Sequence, residues 1–397
     1  MKTTNNIGLQ DMVALALNGG SWQKFIDLYE TQFNADSVAD FKFDPISISY
    51  TFNQLIKSVH ATVLPTYVDP ESEGFEMPLG ETQGLSDNIP TQKLYYSVNR
   101  VILREQMQLA QRFGKLALDE QLRGTMFDLL DEGTTGLIQA FWNALNHQRD
   151  QIVSTGSFTI DATNNPRGIK GVTIGFGIPS SHITSLTGNN RWWTNASHVV
   201  SNEGSTSDPI KSLADEVTKI RKTFHYVGKL KMELSQILWD DLLTHTAVLK
   251  QIGYSLYPTA ADANAALSVG RNTDDDRKKE TIRKLIKVDE IVTKESYSFV
   301  AKPGTKNGSP DLVTDTVENF KKENVAFMPV GNLGTIQGVQ PLSMGYDDAD
   351  IAYAMDKRLL IEQERVPRSH SININGEMAQ ICVPSAVNQM FIKTITV

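Results

Sequence analysis

Asp241 and His245 stand four residues apart in a stretch with helical patterning. That spacing puts a carboxylate and an imidazole on one helix face, where they could ligate a metal ion or act as an oriented base. A solvated or capping pair explains the same two residues more simply. Cys382, the single cysteine, lies in the apolar run Gln380-Ile381-Cys382-Val383. A catalytic thiolate needs an electropositive, partly exposed setting, and this run reads instead as strand and core. One cysteine also rules out an intramolecular disulfide or a cysteine-built metal site, and a reducing birthplace is expected.

Other catalytic patterns are missing from the sequence. It has no Gly-x-x-x-x-Gly-Lys-Ser/Thr phosphate cradle, no Gly-x-Ser-x-Gly elbow and no His-Glu-x-x-His zinc pair. Gly175-Phe176-Gly177 lacks the third glycine of a dinucleotide fingerprint and runs into Pro179, so strand glycines are expected. Asp274-Asp275-Asp276 and Asp347-Asp348-Ala349-Asp350 lack the ligand register of a calcium loop and suit helix N-termini. The seven histidines, at 60, 147, 182, 198, 225, 245 and 370, are scattered. Trp192-Trp193 could stack on a base or a sugar, but paired aromatics more often anchor a core or an interface. Asn195-Ala196-Ser197 and Asn307-Gly308-Ser309 match the glycosylation triplet, which has no role in a cytoplasmic protein. No enzyme, cofactor or metal is expected.

The 397 residues are 40% hydrophobic and 21% charged, enough for one large domain or two to three smaller ones. The net charge of -8 argues against a dedicated nucleic-acid binder, which needs clustered Lys and Arg, but suits the lining of a DNA-filled container. No apolar run approaches the roughly 20 residues of a membrane span, and the start of the chain lacks a secretory pattern, so a soluble protein made in the cytoplasm is expected.

The spacing of Leu9, Met12, Val13, Ala16 and Leu17 predicts a short helix, and Ser21 caps a second over Trp22 to Tyr29. Alternation over 41–50 predicts a strand near 46–52. The stretch from Pro65 to Pro90 is too polar to order itself at about 1 to 2 kcal/mol of backbone entropy per residue, so a neighbouring subunit must hold it or it stays disordered. Leu137, Phe141, Leu145 and Ile152, with Gln148 between, predict a helix from Thr134 or Thr135 to Gly156. Strands at 157–161 and 171–178 flank an Asn-Asn-Pro-Arg-Gly turn. Asp208 then caps a helix with Pro209 at its first position. A strand over 226–234, a helix over 235–249, a looser stretch to Arg271 and a helix from Asp274 follow. Val288 to Val292 and Ser296 to Ala301 are expected strands, as are Ser371 to Asn375 and Met390 to Val397.

The order of these segments resembles the lambda-type branch of the HK97-fold phage major capsid proteins, over most of the chain. The resemblance is carried by Phe41-Lys42-Phe43-Asp44-Pro45 after an arm, the polar hairpin region at 53–98, and the long helix to Gly156 with its Phe-Thr-Ile strand. The spacing from Trp193 to Asp208-Pro209-Ile210, the strand and helix from Tyr226, Asn324-Val325-Ala326-Phe327-Met328-Pro329 with Leu333-Gly334, and the closing Ile372-Asn373-Ile374 and Pro384-Ser385-Ala386-Val387-Asn388 complete it. Residues 99–133 depart from the family by holding more helical pattern than the link from loop to spine should.

The resemblance implies an α+β HK97-like fold: an N-terminal arm at 1–45, a strand and extended E-loop at 46–98, a peripheral domain with a long spine helix at 99–207, an axial α/β domain at 208–340, and a return to the peripheral domain at 341–397. It further implies hexamers and pentamers closing an icosahedral virion shell around double-stranded DNA without sequence-specific binding, built in the host bacterial cytoplasm. Scaffold, portal and possible decoration proteins would be the partners, with no membrane. Asp69, Glu71 and Glu73 on the loop, with Arg271, Asp274, Asp275, Asp276 and Lys278 in the axial domain, are the expected inter-subunit contacts. The rivals are an encapsulin-like bacterial shell and, from another class, a hydrolase using Asp241 and His245 or Cys382.

Overall fold

Leu137, Phe141, Leu145 and Ile152 are all buried along one face of a helix, as their spacing requires. In the computed structural model this helix, α1 (Leu118–Thr155), has 38 residues, about 57 Å at 1.5 Å per residue. The structure describes residues 38–57, 82–99, 118–195, 197–260, 262–294, 297–306, 309–342, 351–366 and 371–395, with Gln23, Ile26, Val101, Arg104, Glu105 and Gln108 besides. The two expected N-terminal helices fall mostly outside that set, although Gln23 and Ile26 are helical and Ile26 is buried in this chain's own core.

The expected end of α1 at Gly156 is observed, but its start is not at Thr134 or Thr135. Gly133-Thr134-Thr135-Gly136 reads as a stop in the sequence, and the helix runs straight through it. A Cβ on Gly133 would lie 2.3 Å from the Tyr96 ring, so this glycine allows a close approach rather than ending the helix.

Helix α1 covers a six-stranded sheet in the order β1 (Phe41–Phe43), β13 (Gly334–Val339), β16 (Ser371–Pro384), β15 (Leu359–Val366), β14 (Ile351–Ala354), with β4 (Thr91–Asn99) also on β16. The first half of β16 lies between β15 and β4, and its second half pairs with β13. The strand expected at 46–52 is divided. Strand β1 runs parallel to β13, Ser47 makes a lone bridge to Val339, and β2 (Thr51–Lys57) leaves to pair with β3 (Thr82–Asn88). Pro45, which has no N–H to donate, sits at the break.

The second sheet runs β7 (Ile183–Ser185), β17 (Phe391–Thr394), β12 (Asn324–Pro329), β8 (Leu230–Ser235), β9 (Glu290–Lys294). Its alternating residues serve two cores. Val325 and Phe327 of β12 join Leu230, Met232 and Leu234 of β8 in a core closed by helices, while Ala326 and Met328 face the core under α1. The helices on the outer side are α2 (Pro209–Lys222), α3 (Gln236–Thr244), α4 (Thr246–Leu256) and α6 (Asp275–Ile286), which contribute Ile210, Leu213, Leu242, Ile252 and Ile282. Asp208 caps α2 by accepting the Lys211 N–H, and Asp274 caps α6 by accepting the Arg277 N–H, both as expected.

Three expectations over 226–271 change. The strand begins only at Leu230, and the single helix over 235–249 is two, α3 and α4, separated at His245 in extended conformation. The looser stretch holds α5 (Ala263–Asn272), capped by the Asp262 side chain. Helices α4 and α5 meet through glycine: a Cβ on Gly253 would lie 1.8 Å from the Ala266 carbonyl oxygen, and one on Gly270 2.1 Å from that of Leu249. The strands of β5 (Ser157–Ile160) and β6 (Val172–Gly175) pair as expected, and the strand expected over Ser296 to Ala301 is observed as the longer β10 (Tyr297–Lys306), paired with a strand that was not expected, β11 (Ser309–Glu318).

Gly→Ala in a helix normally stabilises by roughly 0.5–1 kcal/mol. Gly253→Ala and Gly270→Ala should instead destabilise by about 1–3 kcal/mol through overpacking. Gly136→Ala, which meets nothing within 4 Å, should follow the normal rule. Urea denaturation of the three variants reads the difference in sign.

Candidate functional site

Arg149 sits on the buried face of α1, three residues before Ile152, where the helix crosses β8. Its guanidinium is wholly buried and donates to Glu233 through Nη1 (2.6 Å) and Nη2 (2.8 Å), to Asp150 Oδ1 (2.8 Å), and to Asp40 through Nε (3.2 Å) and Nη2. Lys231 reaches Glu233 at 2.8 Å and Asp40 at 3.3 Å. The cluster joins the chain just before β1 to α1 and to the face of β8 opposite the outer helices.

Burial alone would raise the Glu233 carboxyl, but Arg149, Lys294 and Lys231 outweigh it and hold the group down at about 2. Asp150 is pushed up by burial, with Arg149 and Lys294 offsetting only part of that, because it receives a single Arg149 bond. Burial would lower Arg149, yet Glu233, Asp40 and Asp150 together raise it well above its ordinary value. Glu233 is thus an ionised acceptor with both oxygens taken. Its chemistry is structural: it neutralises a buried cation and has no proton to trade near neutral pH.

The catalytic candidates do not assemble. Asp241 Oδ2 pairs with His198 Nδ1 at 2.8 Å, and His245 points elsewhere. His245 caps α4 by accepting the Ala247 N–H on Nδ1 (3.2 Å), which leaves the proton on Nε2, facing Ser207 Oγ (3.2 Å) and the Trp192 carbonyl (3.3 Å). Burial lowers its pKa, so the ring is neutral, and the lone pair a base would need is committed to the helix. Capping, one of the two simpler explanations, is the observed one. Burial pushes the Cys382 thiol up, with Asp40 adding to the rise, and its Sγ lies 4.0 Å from the Leu145 carbonyl, an inert core setting. Trp192 and Trp193 are buried in the outer core, edge to face at 6.0 Å. Among the described residues no group of three or more His, Cys, Asp or Glu could hold a metal ion, and no helix is long and apolar enough to cross a membrane. A cavity of about 380 Å³ lies where the end of α1 meets the base of the β10–β11 hairpin. Gln151, Ser154, Thr155 and Thr163 line it with Glu318 and Lys321, and the Ser154 and Thr155 hydroxyls both donate to the Gln151 carbonyl.

Of the expected assembly residues, Asp69, Glu71 and Glu73 lie outside the described residues, as do Asp347, Asp348 and Asp350. Arg271 is exposed in the last turn of α5. Asp274 caps α6, Asp275 and Asp276 fill its first turn, and Asp275 takes the Lys278 ammonium at 2.9 Å, leaving Lys278 only 9% exposed. The acid cluster therefore begins a helix, as its sequence suggested. Besides β5–β6, which follows directly on α1, two further two-stranded sheets stand apart as ribbons, β2–β3 and β10–β11, the latter with Tyr297 and Phe299 exposed. The sequence reading passed over Arg149 and His198. Arg149, four residues after Leu145 on an apolar stripe, was a legible sign of a buried ion pair; His198 had no local signal.

These features define an α+β chain with two cores clamped by a buried ionic cluster and two ribbons set apart from its larger sheets. No protein-family model and no curated protein matches it. Solved structures similar to it include a phage-related protein of Bordetella bronchiseptica, at 12% identity over 94% of this chain and 96% of that one, with a TM-score of 0.48. A chain of the satellite phage P4 procapsid that includes the size-determination protein shares 11% identity over 94% and 99%, with a TM-score of 0.45. The mature capsid of bacteriophage PhiM1 shares 9% over 91% and 87%, with a TM-score of 0.42.

Arg149→Met should destabilise the chain by about 3–5 kcal/mol, because it leaves three carboxylates with too few cations. Glu233 contributes stability above its unfolded pKa of about 4.3 that is lost as pH falls towards the folded value of about 2. Acid unfolding followed by circular dichroism should accordingly show a shallower pH dependence over that window in Glu233→Gln than in the unaltered chain.

Proposed function

We propose that this chain is the major capsid protein of a tailed bacteriophage, of the lambda-type branch of the HK97 fold, and that it performs no catalysis. The observation that carries the reading is the β2–β3 ribbon. A two-stranded hairpin is marginal in water by itself, and this one forms its own sheet outside the six-stranded one. Strand β2 leads towards the polar stretch at 65–90, and the last part of that stretch is ordered only as β3, paired with β2, which favours a loop laid on a neighbouring copy.

In this reading the six-stranded sheet under α1 is the peripheral part and the five-stranded sheet with its outer helices the axial part. The N-terminal arm leaves from β1, where the Asp40 side chain is held by Arg149 and its carbonyl by the Leu333 N–H at 2.7 Å. Copies join head to tail by a heterologous interface, which closes into hexamers and pentamers when the rotation closes. Asp69, Glu71 and Glu73 on the loop, with Arg271, Asp274, Asp275, Asp276 and Lys278 around the start of α6, make polar contacts that are individually weak and jointly fix register. A net charge of -8 suits a wall that repels packaged DNA rather than binding it. Scaffold and portal proteins, and a decoration protein where one exists, are the expected partners. Assembly takes place in the host cytoplasm and the product is the virion shell.

Negative-stain electron microscopy of the chain expressed alone and with scaffold and portal proteins should show closed shells or hexameric and pentameric rings; monodisperse monomers under every condition would overturn the proposal. Changing Asp69, Glu71 and Glu73 together to Lys should cut particle yield while far-ultraviolet circular dichroism and the unfolding midpoint stay unchanged.

A further inference from the structure

The loop from Trp193 to Glu203 is anchored at both ends: Trp193 is buried in the outer core beside His245, and Glu203 accepts the Thr246 N–H of α4 at 2.8 Å. Within the loop, Trp193 bridges to Glu203, the Thr194 N–H donates to the Asn202 carbonyl at 2.8 Å, and Asn195 accepts from Ser197 and Asn202. Between those ends its contact with the rest of the fold is made by His198, a non-glycine residue in the left-handed region at φ 46° with a side chain 5% exposed. The ring stacks on Trp193, with centroids 4.5 Å apart and planes at 21°. Nδ1 meets Asp241 of α3 at 2.8 Å, and Nε2 lies 3.5 Å from Glu323, in the link before β12. The Glu323 backbone carbonyl in turn receives the Ile395 N–H at 3.0 Å, which ties this link to the end of the chain.

Both ring nitrogens therefore face a carboxylate. A neutral imidazole carries one N–H and can donate to one of them, presenting its lone pair to the other. The imidazolium has two N–H groups and presents one to each carboxylate, with Nε2 at ion-pair distance from Glu323 rather than hydrogen-bonded to it, and it gains a further cation–π contribution from the indole beneath it. We propose that His198 is a protonation latch that clamps the 193–203 loop to α3 and to the β12 link when charged and releases it when the proton is lost. The pKa direction agrees. Glu323 raises His198 most, burial pulls it down, and Asp241 adds to the rise, leaving it above its ordinary value. Among the other histidines, burial shifts His147, His182 and His245 in the opposite direction.

The sign follows from linkage. A histidine whose folded pKa is raised contributes stability that is fully present below its unfolded value of about 6.5 and is lost as pH rises through the folded value. The segment around His198 is thus locked below that unfolded value and loosened as pH rises above it, uncovering the face of Trp193 on which His198 stacks, beside Val199 and Val200, which are already half exposed. This inference is independent of the capsid reading.

The test is hydrogen exchange of the full chain by mass spectrometry from pH 5.5 to 9, corrected for intrinsic base catalysis, with Trp emission followed in parallel. Protection of amides 197–203 should fall by up to about tenfold per pH unit through the transition, with a red shift of the emission that is absent in Trp193→Phe. In His198→Gln the transition should vanish. Asp241→Asn and Glu323→Gln should each move its midpoint to lower pH, which a purely packing role for His198 would not do. A transition that persists in His198→Gln, or a midpoint unmoved by both carboxylate changes, would overturn the latch.

Discussion

A guanidinium with no solvent exposure must be matched by fixed anions, and Arg149 is such a group. Its anions come from three places in the chain: Asp40 before β1, Asp150 beside it on α1, and Glu233 on β8. Those elements cannot shift against one another without uncovering a buried charge, a penalty of several kcal/mol per ion. An apolar contact would tolerate a slide of an ångström or two, but a two-pronged bond from Arg149 to Glu233 would not. The position of α1 over the second sheet, and of the chain just before β1 beside both, follows from this cluster.

The same constraint explains why β8 reads as it does. Leu230, Met232 and Leu234 pack against the outer helices, while Lys231 and Glu233 point the opposite way and are equally buried. In a sheet with one wet face that alternation would put charges in water. Here the second face is covered by α1, so the charges had to be paired. Strand β12, next to β8, carries the apolar version of the same arrangement, with Phe327 in one core and Met328 in the other.

What could be read from the sequence was set by how local the causes are. The end of α1, the Asp208 and Asp274 caps, the β5–β6 hairpin and the core setting of Cys382 rest on near neighbours and were legible. The start of α1 was not, because Gly133 answers to Tyr96, a residue far away in sequence. Helix α5 was missed because it rests on a close crossing with α4, where Gly253 meets Ala266 and Gly270 meets Leu249. The break at His245 was hidden because a histidine N-cap is rarer than a serine or aspartate one. Of the site itself, the spacing of Asp241 and His245 suggested a pair; the fold gave Asp241 to His198 and His245 to the helix, a partnership 43 residues apart that no window of sequence contains.

The ribbons show the opposite economy from the Arg149 cluster. Each strand of β10–β11 is ten residues long and pairs in full register with its partner, yet the described face shows Phe299 at 75% exposure and an exposed Lys302–Asp315 ion pair, a contact worth little in water. Ordering such a ribbon costs about 1–2 kcal/mol per residue in backbone entropy, and ladder bonds return only a modest net gain. A chain that locks its centre with buried charges while leaving long ribbons to their own ladders has placed its specificity inside the subunit and left apolar surface outside it. For a protein that acts alone this would be an aggregation hazard. In the ring of copies proposed above, the same surface would be the means of association, because each copy would supply what the next one's ribbon lacks.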